Sequence, residues 1–445
     1  MPTPPHPGPA MSIQREVAAD GRPWRDYLAG LILHGIKLGL DNMRFLMEAM
    51  GNPQDAVPCV HIAGTNGKGS TAAFLDAVLR AAGLRTGRFT SPHLYDITER
   101  FLVDGAPMAE EELRDGVARL MRAAAPMPHP PTFFEANTVL AFDMFQRRGV
   151  DVAVVEVGMG GRFDATNIIS RPLACAVTGI DLDHQQYLGD TLQAIAFEKA
   201  GILKPGAPCV LGPLHPEAMA VVRARAGEVD APLLLPGRDF THECQGPPLA
   251  PMFTFESAGT CLGPLALGLA GTHQGANAAV AAMAALRCAE TFPAVTGDAV
   301  RRGLETARWP GRLEKVLDNP PVYIDGAHNP AGAAALAAAI PPSVIVFSVA
   351  SDKNAGEMIS TLSKKAAPLV LTVFTGGRGM ELGQLEHAAG ETPHLTSPNM
   401  AEAVETGMRL AGESGLPLVF AGSLYAAGEA RKLLEERYGA PPLRF

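Results

Sequence analysis

Residues 57–75, VPCVHIAGTNGKGSTAAFL, carry an apolar stretch into a glycine-rich turn with one lysine, and then into a helical pattern in which Phe74, Leu75, Val78 and Leu79 share a face. Strand, tight turn and helix in that order make a phosphate cradle, which commits this part of the chain to an α/β fold. Gly64, Gly67 and Gly69 let the backbone approach phosphate oxygens, and Thr65, Asn66 and Ser70 complete the loop. The first amides of the helix donate, and Lys68 adds a point charge. The loop departs from the ordinary P-loop in that Gly69 stands between Lys68 and Ser70. A plain glycine turn is the alternative reading.

Around this segment, buried-type strands alternate with Ala/Leu-rich helices, as in DVAVVEVG, ACAVTGI, PVYIDG followed by NPAGAAALAAAI, SVIVFSV and LPLVFAG. That is the pattern of a doubly wound, mostly parallel sheet. It weakens from Ala231 to Gly268, where MFTFES and similar short alternating pieces point to an antiparallel addition. With 445 residues, two domains are expected. We place a flexible Pro-rich tail at residues 1–20, a first domain at 21–308 and a second at 309–445, with the crossing at Trp309 to Arg312. The uncharged window from Asn329 to Ser351 contains Pro341 and Pro342, and reads as a helix, a turn and a strand rather than a membrane span.

Charge narrows the partners. Thirty-seven Lys and Arg against 46 Asp and Glu give a net charge of −9, so no global field draws nucleic acid or an anionic membrane. Anionic ligands must then be held by local cations, backbone amides or metal ions. The six cysteines show no paired spacing and the first twenty residues no apolar signal segment, so a reduced, cytoplasmic location is expected.

Other segments offer chemistry one residue at a time. TSPHLYDITERF presents Ser91 and His93 after a short strand, and reads equally well as a solvated loop. Glu156 ends the apolar run DVAVVE, where open α/β sheets place their ligand crevice and where an acid can reach magnesium; pairing with Arg162 is the structural alternative. Asp183, His184, Glu198 and Lys199 lie in the segment after ACAVT. Asn277 sits in the first turns of a helix, Arg312 in the crossing, and Asp325, Gly326, His328 and Pro330 follow PVYI. Helix capping, surface charge and turn formation would explain each singly.

Read in order, GTNGKGST, TSPHL, FFE, VEVGMGGRFDATN, DHQQYLG, EKAGILKPG, HQGANAAVAA, PGRLE and DGAHNPAG resemble the folylpolyglutamate synthase and dihydrofolate synthase family within the Mur ligases. The likeness is dense from Leu31 to Ala335. It implies a P-loop ATP-binding domain followed by a smaller Rossmann-like domain, with the substrates meeting between them. It also implies an ATP-dependent ligase that adds L-glutamate to dihydropteroate or reduced folates through an acyl phosphate.

Carried over by motif, Gly64 to Ser70 would hold the ATP phosphates and Asn277, Arg312 and Asp325 other parts of the nucleotide. Ser91 and Glu156 would bind one magnesium ion, and Glu156, His184 and a carbamylated Lys199 a second. His328 and Ser423 would stand near the incoming glutamate, and Phe134 and Asp164 near the pterin. Lys68, Lys199 and His328 are the implied catalytic set, and a monomer is expected. SVASDKNAG is similar to the family's DKD loop but carries Asn354 in the last acidic place, with Asp352 and Lys353 retained. Two rivals are a muramyl-peptide ligase, which would need a UDP-sugar domain where only 63 residues precede Gly64, and a nucleotide-binding regulatory protein without ligase chemistry.

Overall fold

A computed structural model describes residues 23–32, 35, 37, 39–376 and 379–445; the tail expected over residues 1–20 lies outside the described residues. The first sheet contains β1 (Cys59–Ala63), β2 (Thr86–Phe89), β3 (Phe101–Val103), β4 (Ala106–Pro107), β5 (Val152–Glu156), β6 (Ala174–Val177), β7 (Cys209–Leu211) and β8 (Leu233–Leu234). Their order is β4-β3-β2-β5-β1-β6-β7-β8, parallel except for the two pairings of β3. Every residue of β1, β5 and β6 is buried, as expected of parallel strands covered on both faces.

Helices Lys68–Ala81 and Gln274–Cys288 cover one face, and helix Phe133–Arg147 lies against the other. The antiparallel addition expected between Ala231 and Gly268 is a three-stranded sheet of β9 (Phe240–Gln245), β10 (Met252–Ser257) and β11 (Thr260–Ala266), ordered β11-β10-β9. Its buried Phe253 and Phe255 share a core with Phe74, Val78 and Ala278. Helix Gly297–Thr306 closes on helix Lys68–Ala81 so tightly that a Cβ on Gly303 would lie 2.3 Å from the Val78 Cα.

After Thr306 the chain leaves this body, and a second sheet begins with β12 (Glu314–Asp318). It continues through β13 (Pro321–Ile324), β14 (Ser343–Phe347), β15 (Ala366–Leu371), β16 (Leu395–Thr396) and β17 (Leu418–Ala421), in the order β12-β13-β17-β14-β15-β16. The uncharged window resolves into helix Pro330–Ala339, the Pro341–Pro342 turn and β14. Among the described residues no helix is long and apolar enough to cross a membrane. Away from the cleft the two bodies meet where Arg431 of helix Leu424–Tyr438 donates to the Tyr95 hydroxyl at 3.0 Å and pairs with Glu314 at 2.9 Å.

β1 lies between β5 and β6, in register Ile62 to Glu156 and Ala63 to Val177. The chain returns on one side of β1 to make β2 and β5, and on the other to make β6. That reversal of strand order opens a crevice at the carboxyl ends of the three central strands.

Candidate active site

The loop after β1 is shaped by its neighbours. Gly64 has φ 151°, and a Cβ there would lie 1.9 Å from Thr178 Oγ1; Gly67 has φ 87°, and a Cβ would lie 2.2 Å from Asn277 Oδ1. Both positions therefore require glycine. The loop after β6 grips the same turn, because Thr65 N donates to the Gly179 carbonyl at 2.6 Å and the Thr178 hydroxyl to that of Asn66 at 2.6 Å. Lys68 folds back over the loop and donates to the carbonyls of Gly64 and Thr65 at 3.0 and 3.2 Å.

Glu156 is buried at the end of β5 and accepts the Ser91 amide at 3.0 Å. Burial raises its pKa against the opposing pull of Lys68, the Ser91 amide and Arg312. The pairing with Arg162 considered from sequence does not occur: Arg162 reaches Glu198 at 2.7 Å. That bond also removes Glu198 from Lys199, whose ammonium donates to the Gly64 carbonyl at 2.9 Å. Burial, then the charge of Lys68, brings the Lys199 pKa down to about 7.

His184 caps helix Gln185–Leu188 in a left-handed conformation, φ 51°. Burial holds its pKa low; Asp183 opposes this, and Lys353, Lys68 and Lys199 add to it. The imidazole is therefore neutral at pH 7, the form that binds metal. Among the described residues no three His, Cys, Asp or Glu side chains converge as a ready metal site. Glu156 and His184, an acid and an imidazole, line one cleft with Lys199.

The second body supplies the opposite wall. Together the two enclose a cleft of about 750 Å³. Arg312, Asp325 and His328 line it with Asn277, Ser91 and the loop from Gly64 to Ser70. His328 Nδ1 stands 2.9 Å from the Gly326 carbonyl, which fixes the ring and leaves Nε2 directed at Asp183, 3.9 Å away. Burial, with Lys353 and Arg312 nearby, lowers its pKa. Asp325 spends its carboxylate on the backbone, accepting from Leu313 N and Ala327 N at 2.8 Å each.

Three residues expected in the site have their contacts beside the cleft and not on its lining. Asp164 accepts the Met159 and Thr166 amides at 2.9 and 3.0 Å, shaping the loop after β5. Phe134 packs tilted against Phe89, with ring centroids 5.8 Å apart, and covers Gly158, where a Cβ would lie 2.4 Å from its ring. Ser423 caps helix Leu424–Tyr438. None of the three lines the cleft.

Two bonds that join the bodies were not assigned from sequence. Lys353, on the loop after β14, reaches Asp183 at 2.8 Å, and Asn329 donates to Asn66 at 3.0 Å while its own oxygen caps helix Pro330–Ala339. Both depend on residues that approach only across the folded cleft.

Residues 62–210 match the Mur ligase middle domain, and residues 311–424 the Mur ligase glutamate ligase domain. Along nearly its whole length the chain is 35% identical to the dihydrofolate synthase/folylpolyglutamate synthase of Bacillus subtilis, covering 92% of this chain and 98% of that protein. It belongs to the folylpolyglutamate/dihydrofolate synthase family of Mur ligases.

This family member is accordingly an ATP-dependent ligase. The Mycobacterium tuberculosis enzyme of the same name is 36% identical over 88% of the chain and 89% of its own. Among solved structures, Mycobacterium tuberculosis folylpolyglutamate synthase complexed with ADP and AMPPCP superposes with a TM-score of 0.84 at 34% identity, covering 91% of this chain and 96% of that one. The E. coli FolC complex with DHPP and ADP gives 0.81 at 29%, covering 94% and 99%. Membership removes the muramyl-peptide and non-catalytic alternatives.

Proposed function

We propose that this family member joins L-glutamate to dihydropteroate and to reduced folates at one site, with an acyl phosphate between the two half-reactions. The observation that carries the reading is the cleft itself, where Lys68, Glu156, His184 and Lys199 of the first body face Arg312 and His328 of the second. In this reading the phosphate loop and Lys68 hold the ATP phosphates, while Asn277 and Arg312 orient the nucleotide. A carboxylate oxygen of the pteroate attacks the γ-phosphorus; the bond to ADP breaks and an acyl phosphate forms. The glutamate amine attacks the acyl carbon, inorganic phosphate leaves and the nitrogen loses a proton, giving the amide. His328 orients that amine from the second body.

Magnesium would be held by Ser91 and Glu156, and a second ion by Glu156, His184 and Lys199, to offset phosphate charge. The suppressed Lys199 pKa supports carbamylation: the ammonium loses one proton, and the neutral amine adds carbon dioxide, forming an N–C bond and releasing a second proton, so that a cation would become an anion beside the metal. We place the reaction in the cytoplasm and expect a monomer, because one chain supplies both walls.

The test offers ATP, magnesium and labelled glutamate with dihydropteroate and, separately, with tetrahydrofolate. Labelled product from both is expected; product from one alone ends the dual-substrate claim, and from neither the whole reading. A carbamate carbon signal after ¹³C-bicarbonate labelling, lost in Lys199→Met, is expected for the modification, and its absence would refute it.

A further inference from the structure

Gly69, the glycine that breaks the ordinary phosphate-loop pattern, has a ring where its side chain would be. A Cβ there would lie 2.9 Å from Cζ2 and Nε1 of Trp309. Behind the same indole lies Arg88, fully buried on β2, with its guanidinium carbon 4.8 Å from the Trp309 ring and 5.8 Å from that of Phe445. Asp76 offers the nearest charge, at 3.6 Å, and none of the three guanidinium nitrogens has a hydrogen-bond partner. What holds Arg88 is therefore the aromatic contact and the charge of Asp76. Trp309 is wedged between the first turn of the phosphate-loop helix and this buried cation.

Two residues further on, the chain is already fastened to the second body. The Gly311 carbonyl accepts from Gly326 N at 2.8 Å, and Leu313 N donates to Asp325 at 2.8 Å. Only Pro310, whose φ is locked by its ring, separates the two anchors. Arg312 lies between the fastened residues and projects into the cleft.

We propose that Trp309 is a positioning residue for nucleotide binding: seated on Gly69 and Arg88, it sets where Arg312 stands and makes the phosphate loop and the second body move as one. Gly69 is glycine to admit the indole. The inference rests on the assignment of Arg312 to the nucleotide, and the experiment separates the two.

Binding of ADP is measured by calorimetry, and turnover with varied ATP and varied folate, for Arg312→Ala, Trp309→Ala and Trp309→Phe. A misplacement of about 1 Å can cost on the order of a hundredfold in rate. Trp309→Ala is expected to raise the KM for ATP at least about tenfold with the folate KM within about twofold, and Trp309→Phe to restore most of it. If Arg312→Ala leaves ADP affinity unchanged, the assignment of Arg312 fails. If Arg312→Ala weakens ADP and Trp309→Ala does not, the positioning role alone fails.

Should Trp309→Ala not fold, the chain's two tryptophans allow a second measurement. In Trp24→Phe protein, emission from Trp309 should change on ADP titration with the midpoint found by calorimetry. Unchanged emission at saturating ADP would overturn the proposal.

Discussion

Lys68 and Lys199 direct their ammonium groups at the same atom, the carbonyl oxygen of Gly64, at 3.0 and 2.9 Å. Two cations on one acceptor repel, and the buried one yields: the Lys199 pKa falls to about 7, first through burial and then through Lys68. Lys199 is thus partly neutral at pH 7.

Removing the Lys68 side chain tests the phosphate assignment. Lys68→Ala should lower turnover about a hundredfold or more, because charge stabilisation of a transferring phosphoryl group is commonly of that size. Near-normal steady-state turnover would show that Lys68 does not face the phosphates.

Lys199 gives stability a pH dependence of known sign. Its folded pKa of about 7 lies below the ordinary lysine value near 10.4, so between these values the unfolded chain binds more protons and stability rises with pH. Below pH 7 both states are protonated and the penalty is constant. In urea melts without metal or bicarbonate, the unaltered protein should gain on Lys199→Met from pH 7 to 9; parallel curves would refute the shift.

His328→Ala should separate the half-reactions. The ring contributes from the second body, so the glutamate-dependent step should slow while acyl phosphate still forms from ATP and folate alone. Trapping with hydroxylamine in the absence of glutamate reads that intermediate, and its loss in the variant would place His328 in the first step instead.

Lys353→Met removes the partner of Asp183, a carboxylate that three groups hold well below its ordinary pKa despite burial: His184, Lys353 and His328. Removing one partner of a buried ion pair costs about 3–5 kcal/mol. Calorimetric melting should show the loss, and Lys353→Arg should recover part of it. Equal melting of Lys353→Met and the unaltered protein would mean that the pair contributes nothing.

How much was legible in the sequence follows from the range of each interaction. The phosphate loop, the alternating strands and the antiparallel stretch after Ala231 are patterns of adjacent residues. Glu156 was legible as a strand-end acid, but not its partner, because Arg162 and Glu198 are 36 positions apart and meet only when the loop after β5 folds over helix Leu192–Ala200. Asn329 and Asn66 are 263 apart, and Lys353 and Asp183 are 170 apart. Asp164 and Ser423 resembled ligand contacts in motif, yet their oxygens serve local backbone amides, a use that short polar side chains adopt wherever a helix or turn begins.

Among the described residues, five that are not glycine hold left-handed backbones: Asn52, Asp104, His184, Asp230 and Leu313. Such a backbone costs a β-carbon-bearing residue about 1–2 kcal/mol, least for Asn and Asp. At His184 and Leu313 the conformation carries the cleft's imidazole and receives the Asp325 carboxylate, whereas Asp230 merely ends helix Pro216–Val229. Engineering for heat tolerance would therefore begin at Asp230→Gly, where a helix terminus favours glycine, with a higher melting temperature at unchanged turnover as the outcome sought. The same replacement at His184 would relax the backbone and discard the imidazole that the tension holds in place.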